Sequence, residues 1–259
     1  MASRRATPSR ESLSRYGVLA EYNRKRDFAV TPEPSGAPAK RATRAGGRSP
    51  GARESKGARE SKGARESKGA LRFVIQKHRA GHLHYDFRLE HEGAMLSWAV
   101  PKGPSLDPSV RRLAMQTEPH PMDYNHFEGV IPEGEYGGGT VMIWDHGTWE
   151  PEMPDHSVAK GGAGFVTQAL AKGQLKFRLH GKKLGGSWVL VRTRGPRQWL
   201  LIKHRDDAAS ADDLTITRPL SVVSRRTMAG IAKAAGATPR QLEQATAADP
   251  ERPRARRAS

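Results

Sequence analysis

The chain contains no cysteine. Disulfides, cysteine-ligated zinc and a thiol nucleophile are therefore excluded, and the absence fits a reducing cytosol. Aromatic residues are sparse, at 6% of 259 residues, and hydrophobic residues make up 36%. That share is below the globular norm, so part of the length cannot join a core. No apolar run approaches the roughly 18 residues of a membrane span. The opening MASRRATPSRESLSRYG lacks the apolar stretch of a signal peptide. Acids are outnumbered, 27 against 44 lysines and arginines, for a formal charge of +17. This excess favours a polyanionic partner, nucleic acid ahead of a membrane surface, since no strongly amphipathic basic helix supports the latter. The expectation is a soluble cytoplasmic protein with no membrane partner.

Composition divides the chain. Residues 1–15 read as a disordered basic N-terminus. Residues 16–36 read as a docking arm, with Tyr16, Leu19, Tyr22 and Phe28 as anchors. Residues 37–69 read as a disordered linker in which GARESK occurs at 51–56, 57–62 and 63–68. A six-residue repeat without a large apolar side chain cannot stack into a solenoid. Residues 70–206 form the folded body. Short runs such as LRFVIQ, HYDFRLE, MLSWAV, GTVMIWD, GTWEP, QLKFRLHG and QWLLIKH alternate with glycine and proline turns, which predicts an antiparallel sandwich or barrel. A helix is expected over 166–173. Residues 207–259 read as a polar extension, with a strand-like patch and a short helix in LTITRPLSVVSRRTMAGIAKA, and a basic tail.

The chemistry concentrates in HRAGHLHYDFRLE, residues 78–90. From Leu83 to Glu90 the pattern alternates, so Leu83, Tyr85, Phe87 and Leu89 share one face of a strand. His84, Asp86 and Arg88 share the other, each about 7 Å from the next. With His78 they offer an N/O donor set suited to manganese, zinc or iron, beside a guanidinium suited to phosphate. Spacing alone leaves open surface histidines and a plain Asp86–Arg88 pair. Arg112 is a second phosphate candidate, or an ordinary surface arginine. In Glu118-Pro119-His120-Pro121-Met122-Asp123-Tyr124 the prolines hold the chain extended. His120 there could contact phosphate or protonate a leaving oxygen, and Tyr124 could donate to the same group. The glycine-rich stretch 129–151 is not GxxxxGK[ST] and reads as a tight structural turn. His82, His91, His126, His146 and His156 are assigned no role.

These motifs in order, together with SWAVPKGPSLDP, FEGVIPEGEYGGGTVMIWDHGTWEP and WLLIKHRD, resemble the phosphoesterase module of bacterial ATP-dependent DNA ligase D over residues 70–206. The arm YNRKRDFAVTPEPSG resembles the segment before that module. The resemblance implies a compact antiparallel β-barrel with short flanking helices. It also implies Mn²⁺-dependent (or other divalent metal) processing of 3′ ends in nonhomologous end joining. Terminal ribonucleosides and then 3′-phosphates would be removed to leave a 3′-hydroxyl. His78, His84 and Asp86 are the implied metal ligands, and Arg88, His120 and Tyr124 the implied catalytic set. Arg112 is a weaker phosphate ligand. Arg26, Asp27, Glu33 and Glu118 match positions that serve the diesterase step. The partners implied are primer-templates or DNA ends bearing a 3′-ribonucleotide or 3′-phosphate, which place the protein at the nucleoid, with separate ligase, polymerase and end-binding chains. No KxDG motif is present, so ligation is not expected of this chain. The competing class is a non-catalytic DNA-end scaffold that retains the fold. One departure is Pro119, where the family commonly carries an acid before the histidine.

Overall fold

The structure is a computed structural model and describes residues 17–36, 70–153, 157 and 162–250. The expected N-terminal tail, the anchor Tyr16, the GARESK linker and the basic tail from residue 251 onward lie outside the described residues. The strands are β1 (Leu71–Arg79), β2 (Leu83–His91), β3 (Ala94–Val100), β4 (Arg111–Pro121), β5 (Gly129–Ile131), β6 (Gly139–Pro151), β7 (Gln174–Gly181), β8 (Gly185–Arg192) and β9 (Gln198–Lys203). The helices are α1 (Ala20–Arg24), α2 (Gly162–Lys172), α3 (Leu214–Thr217), α4 (Met228–Ala234) and α5 (Pro239–Ala248), with a 3₁₀ turn at Met122–His126.

Every strand pairing is antiparallel. The order β1-β2-β3-β4-β9-β8-β7-β6 closes on itself through β1–β6, giving an eight-stranded barrel with β5 added along β6. Eight strands leave an interior that side chains just fill. Here the filling is aromatic: all five tryptophans of the sequence, Trp98, Trp144, Trp149, Trp188 and Trp199, are buried in one core cluster with Tyr85, Phe87 and Phe177. The tryptophans are thus spent entirely on the barrel's core. The alternation in β2 holds, with Tyr85, Phe87 and Leu89 in the core. His84, Asp86 and Arg88 therefore stand on the outer wall.

Two bulges shape that wall. In β6, Ile75 pairs with Asp145 and Gln76 with Ile143, leaving Trp144 as the extra residue. In β4, Ser97 pairs with Thr117 and Met95 with His120, so Glu118 and Pro119 oppose Leu96 alone. Proline's missing N–H is tolerated at such a bulge, which accounts locally for Pro119. The runs GTVMIWD and GTWEP, which read as two strands, are one strand of 13 residues. Gly147 lets β6 pass unbroken, because a Cβ there would collide with the His180 carbonyl oxygen.

The C-terminal extension differs from expectation. LTIT is one helical turn, because Asp213 Oδ1 accepts from the Thr215 amide and hydroxyl. Helices α4 and α5 add Met228, Ile231, Ala232, Ala245 and Ala248 to the barrel's own core. A capping box between Thr238 and Gln241 starts α5.

Candidate active site

The β1–β2 hairpin sets His78 opposite His84, Gln76 opposite Asp86 and Val74 opposite Arg88. Directly opposed residues share a face, so these side chains converge on the outer wall. Nitrogen or oxygen atoms of His78, His84 and Asp86 all lie within 4.8 Å of one another. His78 Nδ1 is 3.4 Å and His84 Nε2 3.6 Å from the Asp86 carboxylate. The far nitrogens are bound to carbonyls, His78 Nε2 to Gly137 at 2.8 Å and His84 Nδ1 to His82 at 3.0 Å. A carbonyl only accepts, so those nitrogens carry the protons and the lone pairs point at the space beside Asp86. Imidazole lone pairs oriented this way are what a divalent cation needs. The donor set therefore fits a metal, with no cysteine to bias it toward zinc. Burial disfavours charge on Asp86, yet the Arg88 guanidinium beside it outweighs that burial and holds its pKa well below the carboxylate norm.

Arg88 is bracketed. Its Nε donates to Gln76 Oε1 at 2.9 Å, Nη1 to Ser97 Oγ at 2.8 Å, and Nη2 pairs with Asp86 Oδ2 at 3.1 Å. Two of its five N–H groups remain for a ligand. Gln76 is fixed in turn by donating to the carbonyls of Tyr124 and Phe127. His120 is buried, and burial followed by the charges of Arg88 and Arg26 drives its pKa well below the histidine norm. Its Nδ1 is bound to the Glu118 carbonyl at 2.9 Å, so the neutral ring turns its Nε2 lone pair toward Arg26 Nη2, 3.4 Å away. Burial, with the nearby Glu33, holds the Tyr124 hydroxyl protonated, and it donates to Glu33 Oε1 at 2.8 Å.

The arm supplies the roof. Tyr22 is fully buried, with its ring edge-on to His120 and to Tyr124 and its hydroxyl on the Pro34 carbonyl. Arg26 lies 3.8 Å over the Tyr22 ring, donates from Nε to Glu33 and stands 3.7 Å from Glu118. Lys25 bonds Glu118 at 3.1 Å. The cleft, about 550 Å³ including its open mouth, is lined by Arg26, Glu33, His78, His84, Asp86, Arg88, Glu118, His120 and Tyr124 together.

Two expected residues stand apart. Asp27 is exposed, and its carboxylate accepts from the Ala29 amide while its carbonyl accepts from Val30 and Thr31. It shapes the turn that carries Glu33 without reaching the cleft. Arg112 pairs with the core residue Leu201, which puts it on the inward face of β4, across the wall from the site. A guanidinium's usefulness to phosphate says nothing about which face of a strand it is on. Conversely, Gln76, Ser97 and Tyr136 contribute to the site and were not singled out. Gln76 had a signal, lying two residues before His78 on the same face. The glycine-rich turn is structural, as expected, but its Gly137 carbonyl also buttresses His78.

A protein built as a small β-barrel with a metal-fitting His-His-Asp set beside a bracketed arginine belongs to the phosphoester-processing class by its chemistry. Comparison with known families makes this specific: residues 76–192 match the DNA Ligase D 3′-phosphoesterase domain. The chain is 47% identical over 217 residues to the multifunctional non-homologous end joining protein LigD of Pseudomonas aeruginosa, covering 81% of this chain and 22% of that protein. It is 38% identical over 191 residues to the multifunctional non-homologous end joining DNA repair protein LigD of Mycobacterium tuberculosis, covering 73% and 20%. It thus spans about a fifth of the length of these relatives. The chain carries a LigD-like 3′-phosphoesterase domain.

Proposed function

We propose that the protein is a Mn²⁺-dependent 3′-end-processing phosphoesterase of double-strand break repair by nonhomologous end joining. It removes 3′-terminal ribonucleosides and 3′-phosphates and leaves a 3′-hydroxyl. The observation that carries this reading is the convergence, in one cleft, of the metal-fitting set and an arginine with two N–H groups still free. His78, His84 and Asp86 would hold the cation, which when bound supplies Lewis acidity to a phosphate oxygen. Arg88 binds the remaining phosphate charge as a preorganised donor. His120, neutral and with its Nε2 lone pair facing Arg26 Nη2 in the cleft, exchanges a proton with the attacking water or the leaving oxygen. Tyr124 orients an oxygen through its hydroxyl. Arg26, Glu33 and Glu118 meet the sugar of a terminal ribonucleoside, where a 2′-hydroxyl offers both donor and acceptor, and Asp27 acts through the turn it holds. Arg112, on the far face, would act only on nucleic acid beyond the cleft. The substrates are primer-templates or DNA ends carrying a 3′-ribonucleotide or 3′-phosphate, and ligase, polymerase and end-binding functions of end joining are its working partners at the nucleoid.

A labelled primer-template ending in one ribonucleotide, incubated with and without Mn²⁺, tests the proposal. The expected outcome is metal-dependent shortening to a 3′-phosphate and then to a 3′-hydroxyl, absent in His84→Ala. Binding of the ends without turnover in any divalent metal would instead identify a non-catalytic end scaffold.

A further inference from the structure

The loop Ser221–Arg226, between α3 and α4, is seated on the outer wall of the barrel. The Val222 amide donates to the Ile143 carbonyl at 3.1 Å, and the Ser221 amide to the Arg226 carbonyl at 2.9 Å. Ser221 Oγ donates to Glu128 at 2.6 Å and accepts from the amides of Val223 and Ser224. Val222 packs with Val74, Met95 and Ile143, beside Met122 of the 3₁₀ turn. Val74 lies two residues before Gln76 on β1. The base of the loop is therefore one pleat repeat, about 7 Å, along the same outward face from the Arg88 bracket.

Two features of the loop and its surroundings bear on a ligand. Arg225 has φ +61°, the left-handed region where glycine is usual and a Cβ is disfavoured. It is exposed, as is Arg226, so no burial compensates the strain. Observed strain of this kind points toward function. The second feature is the surrounding charge. Arg218 Nη2 donates to the Lys182 carbonyl, and Lys183 Nζ is held by the carbonyls of Arg218 and Leu220. Burial, aided by the charges of Arg218, Lys77 and Arg225, pushes Lys183 down to about 7 against the pull of Asp145. The two acids on this side face inward: Asp145 accepts the amides of residues 182–184, and Glu128 binds the Ile143 amide and Ser221. Among the described residues, Lys182, Arg218, Arg225 and Arg226 form no ion pair.

We propose that the Ser221–Arg226 loop, with Lys182 and Arg218, is a binding surface for the phosphate backbone of duplex nucleic acid, with Arg225 as a phosphate-contacting residue. The surface holds the strand that leads to the cleft. That orientation rests on the phosphoesterase reading, whereas the binding itself does not. Contacts made by point charges read no bases, so recognition here is independent of sequence.

Fluorescence anisotropy of the full chain on a labelled duplex primer-template ending in a 3′-hydroxyl, across a salt series, tests the surface. In Arg225→Gly the slope of log K against log salt becomes shallower by about 0.9, the share of one phosphate contact. Its melting temperature stays within about 2 °C, because relief of the left-handed strain offsets glycine's extra freedom in the unfolded chain. Arg225→Gln, which leaves the backbone as it is, loses the same slope, and Arg225→Lys retains it. Wild-type affinity and slope in both Arg225→Gly and Arg225→Gln overturn the proposal. A wild type that binds with the expected slope but leaves 3′-blocked ends intact overturns the phosphoesterase reading and leaves the surface standing.

Discussion

Arg88 is held by three partners on three different strands, Gln76 on β1, Asp86 on β2 and Ser97 on β3. A planar fork can meet three acceptors and still face a phosphate, whereas an ammonium is a single point with rotating donors. Arg88→Lys therefore keeps the charge and loses the geometry. We expect kcat on a 3′-phosphate primer to fall about 10²- to 10³-fold, the usual loss for one preorganised donor to developing oxyanion charge. Steady-state rates of the variant beside its Mn²⁺ affinity check this. A near-native rate would show that positive charge alone suffices. At this scale much of the site was legible: alternation in HYDFRLE assigns His84, Asp86 and Arg88 to one face without any structure. Gln76 and Ser97 were not legible as partners, because a neutral polar residue shows its face in the pattern but not the group across the sheet. Arg112 is the opposite case, since its chemistry suits the site while its face does not.

In the proposed function, the arm is the element on which substrate choice turns. Its contacts with the barrel run through few residues, and Leu19 and Tyr22, though buried, are outside the barrel's core cluster. Tyr22→Ala removes the ring between His120, Tyr124 and the Arg26 guanidinium. Loss of a buried aromatic costs about 3–5 kcal/mol, here charged against docking of the arm and not against the barrel. The expected result is a tenfold or greater loss of ribonucleoside removal, a smaller loss of 3′-phosphate removal, and little change in the barrel's denaturation midpoint. Paired rates on the two substrates decide it, and equal losses would refute a separate role for the arm. The arm was legible from its apolar anchors amid polar sequence. The continuity of β6 was not, because a His-Gly pair looks like a break until Gly147 is seen passing under the His180 carbonyl.

At the scale of the whole molecule, the matched family region ends at residue 192, but the core continues to Ala248. Helices α4 and α5 pack into the barrel's own core. Lys77, buried on β1, donates to the Ala248 carbonyl, Gln241 donates to the Ile131 carbonyl, and the Trp144 indole reaches the Arg218 carbonyl. This part was poorly legible because half of the buried positions on its helices are alanine, a residue equally at home in water, so the apolar stripe is faint until the partner surface is known. If the extension is integral, Ile231→Ala, at a buried core position, should destabilise the whole protein by about 2–5 kcal/mol and lower its melting temperature by about 5 °C or more. Urea unfolding followed by tryptophan fluorescence, which reports the barrel interior, and by far-ultraviolet circular dichroism should then give one coincident transition shifted to lower urea. A separate early loss of helical signal, with the tryptophans still buried at the wild-type midpoint, would mean that α4 and α5 are an independently folding appendage.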